Sequence, residues 1–203
     1  ATNTLKQAGY TVDYYPGEEV TVEFYRNLPT HGYELIILRV HSALAHYAFT
    51  ETMSGNVGLF TGELYSTRSH VNEQLTDQVT KARISQEYPE YFGILPKFVK
   101  STMKGTFQNS LIIMMGCYGL TYTSMAEALV EKGAKAYISW KGSVSATHTD
   151  QATAQLLKHL ITEKQTIEQA VNNTMEEVGA DPAYNSQLIY YPLEVGNQTI
   201  EDT

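Results

Sequence analysis

A single cysteine, Cys117, is the only thiol in this 203-residue sequence. One thiol excludes an intrachain disulfide and any multi-cysteine zinc site. Basic residues are scarce as well. Fourteen Lys and Arg stand against 22 Asp and Glu, leaving a formal net charge of -8. That balance argues against nucleic acid as a partner, because such a surface normally carries a basic patch. The acidic residues are spread along the chain, as suits solubility. No apolar run approaches the roughly 20 residues that a bilayer-spanning helix needs, so no membrane span is expected. The opening Ala1-Thr2-Asn3-Thr4 shows neither the charged nor the apolar region of a signal peptide. No G-x-G-x-x-G or P-loop pattern follows any apparent strand. No aspartate-rich loop reaches the density of a calcium site. No cofactor and no metal are therefore expected.

What is present is an ordinary globular composition, with 42% hydrophobic and 11% aromatic residues. The length fits one domain over residues 1–203 with a substantial core. Tyrosine is abundant, at 15 residues. That abundance suits a cell-surface or secreted protein, as do the sequons Asn172-Asn173-Thr174 and Asn197-Gln198-Thr199. The lack of disulfides suits a reducing, cytoplasmic compartment.

Two apolar runs end on reactive side chains. Leu111-Ile112-Ile113-Met114-Met115-Gly116 leads to Cys117, and Tyr33-Glu34-Leu35-Ile36-Ile37-Leu38-Arg39-Val40 leads to His41-Ser42. Neighbouring strands of a parallel sheet deliver their carboxyl ends to one crevice, where open α/β folds place their chemistry. A thiol and an imidazole arriving there form a candidate nucleophile and base.

Around these runs, strand and helix alternate. Strands are expected at 10–15, 33–40, 110–116, 134–140 and 187–191. Helices are expected at 20–28, 67–83, 124–132, 151–161 and 166–178, with Gly133 closing the third and Thr166 capping the last. Val71, Leu75, Val79 and Ala82 supply the helical spacing within 67–83. Residues 88–98 are expected as loop with short helical pieces. A hairpin, Phe49–Met53 against Val57–Thr61, is expected outside the main sheet as a flap over the cleft. The pattern points to an α/β fold with a mostly parallel sheet and helices on both faces.

A histidine closing one strand, a cysteine closing the next, and a hairpin between them resemble the caspase-like cysteine peptidases. That group includes caspases, metacaspases, legumain, gingipains, separase and CHAT domains. The helix, Gly-Ala turn, strand and tryptophan of Met125 to Trp140 look similar to that group. Thr166-Ile167-Glu168-Gln169-Ala170 resembles the helix that follows in CHAT and gingipain-like members. The resemblance covers roughly residues 10–191 and implies a three-layer caspase-like sandwich.

It further implies a cysteine endopeptidase with Cys117 as nucleophile and His41 as base. The backbone N–H groups of Ser42 and Cys117 would form the oxyanion hole. A peptide or protein would be the substrate. Ser42 stands where the group has glycine, and no acidic residue precedes Cys117 as it does in metacaspases. Ser139-Trp140-Lys141 resembles the caspase Ser-Trp-Arg, so Ser139, Trp140 and Lys141 are candidate substrate contacts, with Lys141 facing an acidic P1 side chain. Asp150, in His148-Thr149-Asp150, is either a cleft residue or the N-cap of the helix that follows. The resemblance also implies a central strand between 10–15 and 33–40 that residues 1–203 do not supply. A second segment or chain completing the sheet is then a candidate partner, and a homo-oligomer is compatible with the pattern. His41 and His46, five apart, share no helical face, which speaks against a metal pair.

Two other functions fit the same residues. One is a catalytically silent caspase-like scaffold for assembly or regulation. The other is a flavodoxin-like domain that binds a small ligand in the same crevice.

Overall fold

In the computed structural model, which describes residues 1–46 and 53–202, strands and helices build an α/β fold around two sheets. The larger sheet has the order β1 (Leu35–Leu38), β6 (Leu111–Met114), β7 (Ala136–Trp140), β8 (Leu188–Tyr191). β1, β6 and β7 run parallel, with Leu35 opposite Leu111 and Leu111 opposite Ala136. β8 closes the edge antiparallel, Leu188 opposite Trp140. The sheet is therefore mixed and mostly parallel.

The apolar strands are continuous because both faces of the sheet are covered. Successive side chains point to opposite faces. Ile36, Leu38, Ile112, Met114 and Tyr137 join one core. It is shared with α2 (Val22–Asn27), α4 (Pro96–Ser101) and α5 (Ser124–Glu131). Leu35, Ile37, Leu111, Ile113 and Ile138 join a second core, shared with α6 (Ala146–Leu157) and α7 (Ile167–Val178). Leu111, Ile112, Ile113 and Met114 are at most 1% exposed, and burying each contributes about 1.5–3 kcal/mol.

Local signals set the helix ends. Thr166 accepts from the Gln169 N–H while the Gln169 side chain returns to the Thr166 N–H, a capping box that starts α7. Gly133 follows α5 at a φ of +102°, and a Cβ there would lie 2.5 Å from the Phe107 carbonyl oxygen, so only glycine fits.

The second sheet is antiparallel, in the order β2 (Ser42–His46), β3 (Met53–Leu64), β5 (Tyr91–Ile94), β4 (Val79–Ala82). Its Leu59, Val79, Phe92 and Ile94 enter the first core. This sheet corrects three expectations. The helix at 67–83 is only α3 (Val71–Leu75): Asp77 turns left-handed at φ +54°, and Val79–Ala82 becomes a strand paired to β5. The helical spacing misled because Leu75 is 79% exposed while Val79 reaches the core from a strand, so the four residues never share one helix face. Residues 91–94, expected as loop, form an inner strand in spite of Gly93. The hairpin is also shifted. Val57, Gly58 and Leu59 pair with Leu44, Ala43 and Ser42 of β2. The flap tip, 47–52, lies outside the described residues.

Residues 10–15 form no strand either. They run as irregular chain, and together with β1 they line a groove of about 920 Å³. Without a hydrogen-bonding neighbour, their β-branched and aromatic composition has no ladder to join. α1 (Thr2–Gln7) precedes them and anchors Leu5 in the second core. Among the described residues no helix is long and apolar enough to cross a membrane.

Candidate active site

The carboxyl ends of β1 and β6 come into close contact. Past β6 the chain runs Met115-Gly116-Cys117, and past β1 it runs Arg39-Val40-His41-Ser42. A Cβ on Gly116 would lie 2.4 Å from the Val40 carbonyl oxygen and 2.5 Å from Ser42 Oγ. Only a glycine lets these two turns meet. The Ser42 hydroxyl then donates to the Cys117 carbonyl across 2.5 Å. Ser42, at a position where glycine was the expectation, supplies the latch between the two strand ends.

The thiol faces the loop after β7. Val144 N–H donates to Cys117 Sγ at 3.4 Å, and Sγ lies 3.6 Å from the Val144 carbonyl oxygen. Tyr118 follows at φ +60°, a left-handed conformation costly for a bulky residue, of the kind that collects at functional turns. Its N–H donates to the Gly142 carbonyl at 2.8 Å, and its hydroxyl accepts from Ser143 Oγ at 2.6 Å. The cysteine turn is thereby bound to residues 142–144 on one side and to Ser42 on the other.

His41 is exposed, its ring 6.0 Å from the ring of Phe60. The Phe60 N–H donates to the His41 carbonyl at 2.9 Å. His41 and Phe60 thus continue the β2–β3 register as a hydrogen-bonded pair, which turns the N–H of Ser42 away from β3. The Cys117 N–H has no acceptor among the described residues. Among the same residues, no hydrogen bond joins the His41 ring to Cys117. The two stand on adjoining turns without direct contact through a proton.

The other candidate residues separate into interior and surface. Ser139 and Trp140 are 0% exposed. Ser139 Oγ donates to the Met114 carbonyl at 2.8 Å, directly beneath the Gly119 backbone. Trp140 Nε1 donates to Thr149 Oγ1 at 2.9 Å, and Thr149 passes a second bond of 2.9 Å to the Met115 carbonyl. In this conformation both side chains brace the cysteine strand from within and offer nothing to a substrate. Lys141 is exposed at the end of β7, its N–H held by the Gln187 carbonyl at 2.9 Å. It makes no ion pair among the described residues. His148 is buried, with Nε2 3.1 Å from the Gly179 carbonyl oxygen, so it packs behind Trp140 and does not line a cleft.

Asp150 is not an N-cap. α6 starts earlier, after Ser145, and Asp150 lies inside it. Its carboxylate takes a bidentate ion pair from Arg39, Nε and Nη2 at 2.8 and 2.9 Å, tying the end of β1 to α6. The Arg39 hydrogen bond holds the Asp150 carboxyl below its ordinary range, against the opposing pull of desolvation. Arg39 was not singled out from the sequence. A lone charge between Leu38 and Val40 was the available signal.

Asp181 was also missed, and no motif marked it. It is 1% exposed. Desolvation pushes its carboxyl up, but bonds from Ser145 N–H, Ser145 Oγ, Ala183 N–H and Tyr184 N–H hold it below the ordinary value. It fixes the loop whose next residue back, Val144, touches the thiol.

Among the described residues, no group of three or more His, Cys, Asp or Glu side chains is placed to hold a metal ion. What the strand ends can offer is a half-buried thiol, a neighbouring imidazole, unpaired backbone donors and one exposed cation. In comparison with known proteins, no family model, no curated protein and no solved structure matches this chain.

Proposed function

We propose that this chain is a cysteine endopeptidase of the caspase-like fold, with Cys117 as nucleophile and His41 as general base. The observation that carries the reading is the contact of the two strand ends, Gly116 against Val40 with Ser42 latched to the Cys117 carbonyl. It brings a thiol and an imidazole to the same edge of a mostly parallel sheet. Helices on both faces and the order of the elements are compatible with the caspase-like three-layer arrangement.

His41 would take the thiol proton, and the thiolate would attack the peptide carbonyl. The tetrahedral oxyanion would be met by the N–H groups of Cys117 and Ser42. On collapse, the C–N bond breaks and the amine leaves with the proton from His41. Water, deprotonated by His41, then cleaves the thioester, releasing the acid and restoring the thiol. Lys141 is the free cation at hand for an acidic P1 side chain.

The test is covalent. A set of peptidyl chloromethyl ketones with P1 Asp, Arg, Leu or Gln is incubated with the protein, and the adduct is located by mass spectrometry. The peptidase reading expects an adduct on Cys117 that is slowed about 10²–10⁴-fold by His41→Ala, and matching hydrolysis of fluorogenic peptides. Preference for P1 Arg over P1 Asp would overturn the role given to Lys141. Labelling at the same rate in wild type and His41→Ala would overturn the dyad.

A second reading, the catalytically silent scaffold, draws on a specific observation. Both polar groups of the Val144 backbone address Cys117 Sγ, and His41 does not. Adduct formation without any peptide hydrolysis would favour it.

A further inference from the structure

His159 is a buried imidazole that the thiol site does not use, 2% exposed. It sits where α6 loses its regular winding. After Leu157 the helix continues as a π-helical turn, Lys158–Thr162, a distortion often found at functional positions. Leu160 and Ile161 of this turn pack into the second core, which α7 shares. The ring of His159 is thereby held between the end of α6 and α7.

Each ring nitrogen faces a carboxylate. Nδ1 lies 2.8 Å from Glu163 Oε2, which also accepts from Gln165 Nε2 at 2.9 Å. Glu163 Oε1 pairs with Lys158 Nζ at 3.0 Å. The His159 and Lys158 bonds hold the Glu163 carboxyl below its ordinary range. An ionised carboxylate only accepts, so Nδ1 carries a proton and donates. Nε2 differs: it is buried and has no hydrogen-bond partner among the described residues. Glu177 Oε1, reaching over from α7, lies 3.4 Å from it. A neutral imidazole has a single N–H. With that proton on Nδ1, Nε2 turns a lone pair toward a carboxylate. The charged groups about the ring are Lys158 and Glu163 on its own segment and Glu177 on α7.

We propose that His159 is a proton-operated tie between the π-helical end of α6 and α7. A second proton, placed on Nε2, turns the lone pair into a donor. The Glu177 side chain, 42% exposed, rotates to close on it. The ring then bridges two carboxylates through charge-assisted bonds, which are shorter and stronger than neutral ones. Loss of that proton leaves a buried acceptor unsatisfied, which is costly, and releases Glu177 to solvent. Imidazole is the side chain whose charge ordinarily changes between about pH 5 and about pH 8, so acidification across that range closes the tie. Beyond Glu177, α7 leads to Gly179, whose carbonyl oxygen lies 3.1 Å from His148 Nε2, and to Asp181, which fixes the loop beside the thiol. The tie therefore acts on the helix end from which that loop hangs. It uses neither Cys117 nor His41, and the inference stands whatever the catalytic outcome.

The probe is the proton itself, applied to the 203-residue protein at about pH 8 and about pH 5. Nitrogen NMR shifts of the His159 ring, identified by their loss in His159→Gln, report which ring nitrogen is protonated. Residue-resolved hydrogen exchange at 174–178 reports the hold on α7. The expected result at the higher pH is a neutral ring with its proton on Nδ1. At the lower pH both nitrogens are protonated, and exchange at 174–178 slows about threefold or more beyond the chemical effect of pH. Glu177→Ala abolishes that slowing. Glu177→Gln keeps these amides protected at both pH values, because a side-chain amide can donate to the neutral ring and accept from the charged one. A neutral ring with its proton on Nε2 overturns the proposal. So does a ring that does not change charge across the range. The same slowing in Glu177→Ala overturns it too.

Discussion

Ser42 Oγ lies 2.5 Å from the carbonyl oxygen of Cys117, so the first residue of β2 is tied to the residue expected to carry the thiol chemistry. Ser42 is buried, and its hydroxyl also stands where a Cβ on Gly116 would fall. One side chain therefore sets the spacing of both turns. Removing it acts on the site through position and through no contact with a reacting atom.

Ser42→Ala leaves the Cys117 carbonyl without its donor. The expected loss is about 0.5–1.5 kcal/mol of stability, read as a midpoint shift in urea with an unchanged slope. Ser42→Gly loses the same bond and adds backbone freedom, so it falls further. An alanine variant as stable as wild type would remove the latch from the account.

Gly116→Ala places a methyl 2.4 Å from the Val40 oxygen, which is backbone and cannot rotate away. Relief requires the β1 and β6 ends to separate. The cost is about 1–3 kcal/mol, seen as a lowered melting temperature together with faster exchange at 115–118. A melt within error of wild type would mean the two turns do not touch in solution.

Asp181 carries a pH signature. Its folded carboxyl is held below the ordinary 3.8 by the Ser145, Ala183 and Tyr184 bonds, which outweigh burial. A carboxyl depressed in the folded state contributes stability that is complete above the unfolded value and is lost as pH falls through the folded one. Wild type should therefore lose more stability than Asp181→Asn between about pH 5 and about pH 2. Parallel stability–pH curves for the two proteins would contradict the assignment.

Tyr137 is fully buried, and its hydroxyl has no partner among the described residues. Burial pushes this phenol far above its ordinary range. Tyr137→Phe removes an unpaired polar atom at nearly constant shape, so stability should hold or rise. A loss beyond about 1 kcal/mol would show that the hydroxyl is bonded, for instance to an internal water.

Much of the large sheet was legible because its signals are local. Four apolar residues in a row with turns at either end mark Leu35–Leu38 and Leu111–Met114 as covered strands. Thr166 with Gln169 three residues on marks the start of α7. The antiparallel sheet was less legible. Val79–Ala82 is held by Tyr91–Ile94, and nothing within either segment announces the other. Helical spacing from Val71 to Ala82 was a real pattern, but Val79 meets the core from a strand and Leu75 is left exposed.

By itself, then, the sequence determined the α/β alternation and the placing of a cysteine and a histidine just past two strand ends, because periodicity and capping act within a few residues. It also determined that no disulfide ties the chain to itself. Only the tertiary structure decided partners. Asp150 left its expected cap for Arg39, 111 residues away, and Trp140 turned into the core toward Thr149. Residues 10–15 came to line a groove together with β1. Such outcomes depend on which surfaces meet. The energy of a contact between distant residues is not encoded at either one alone.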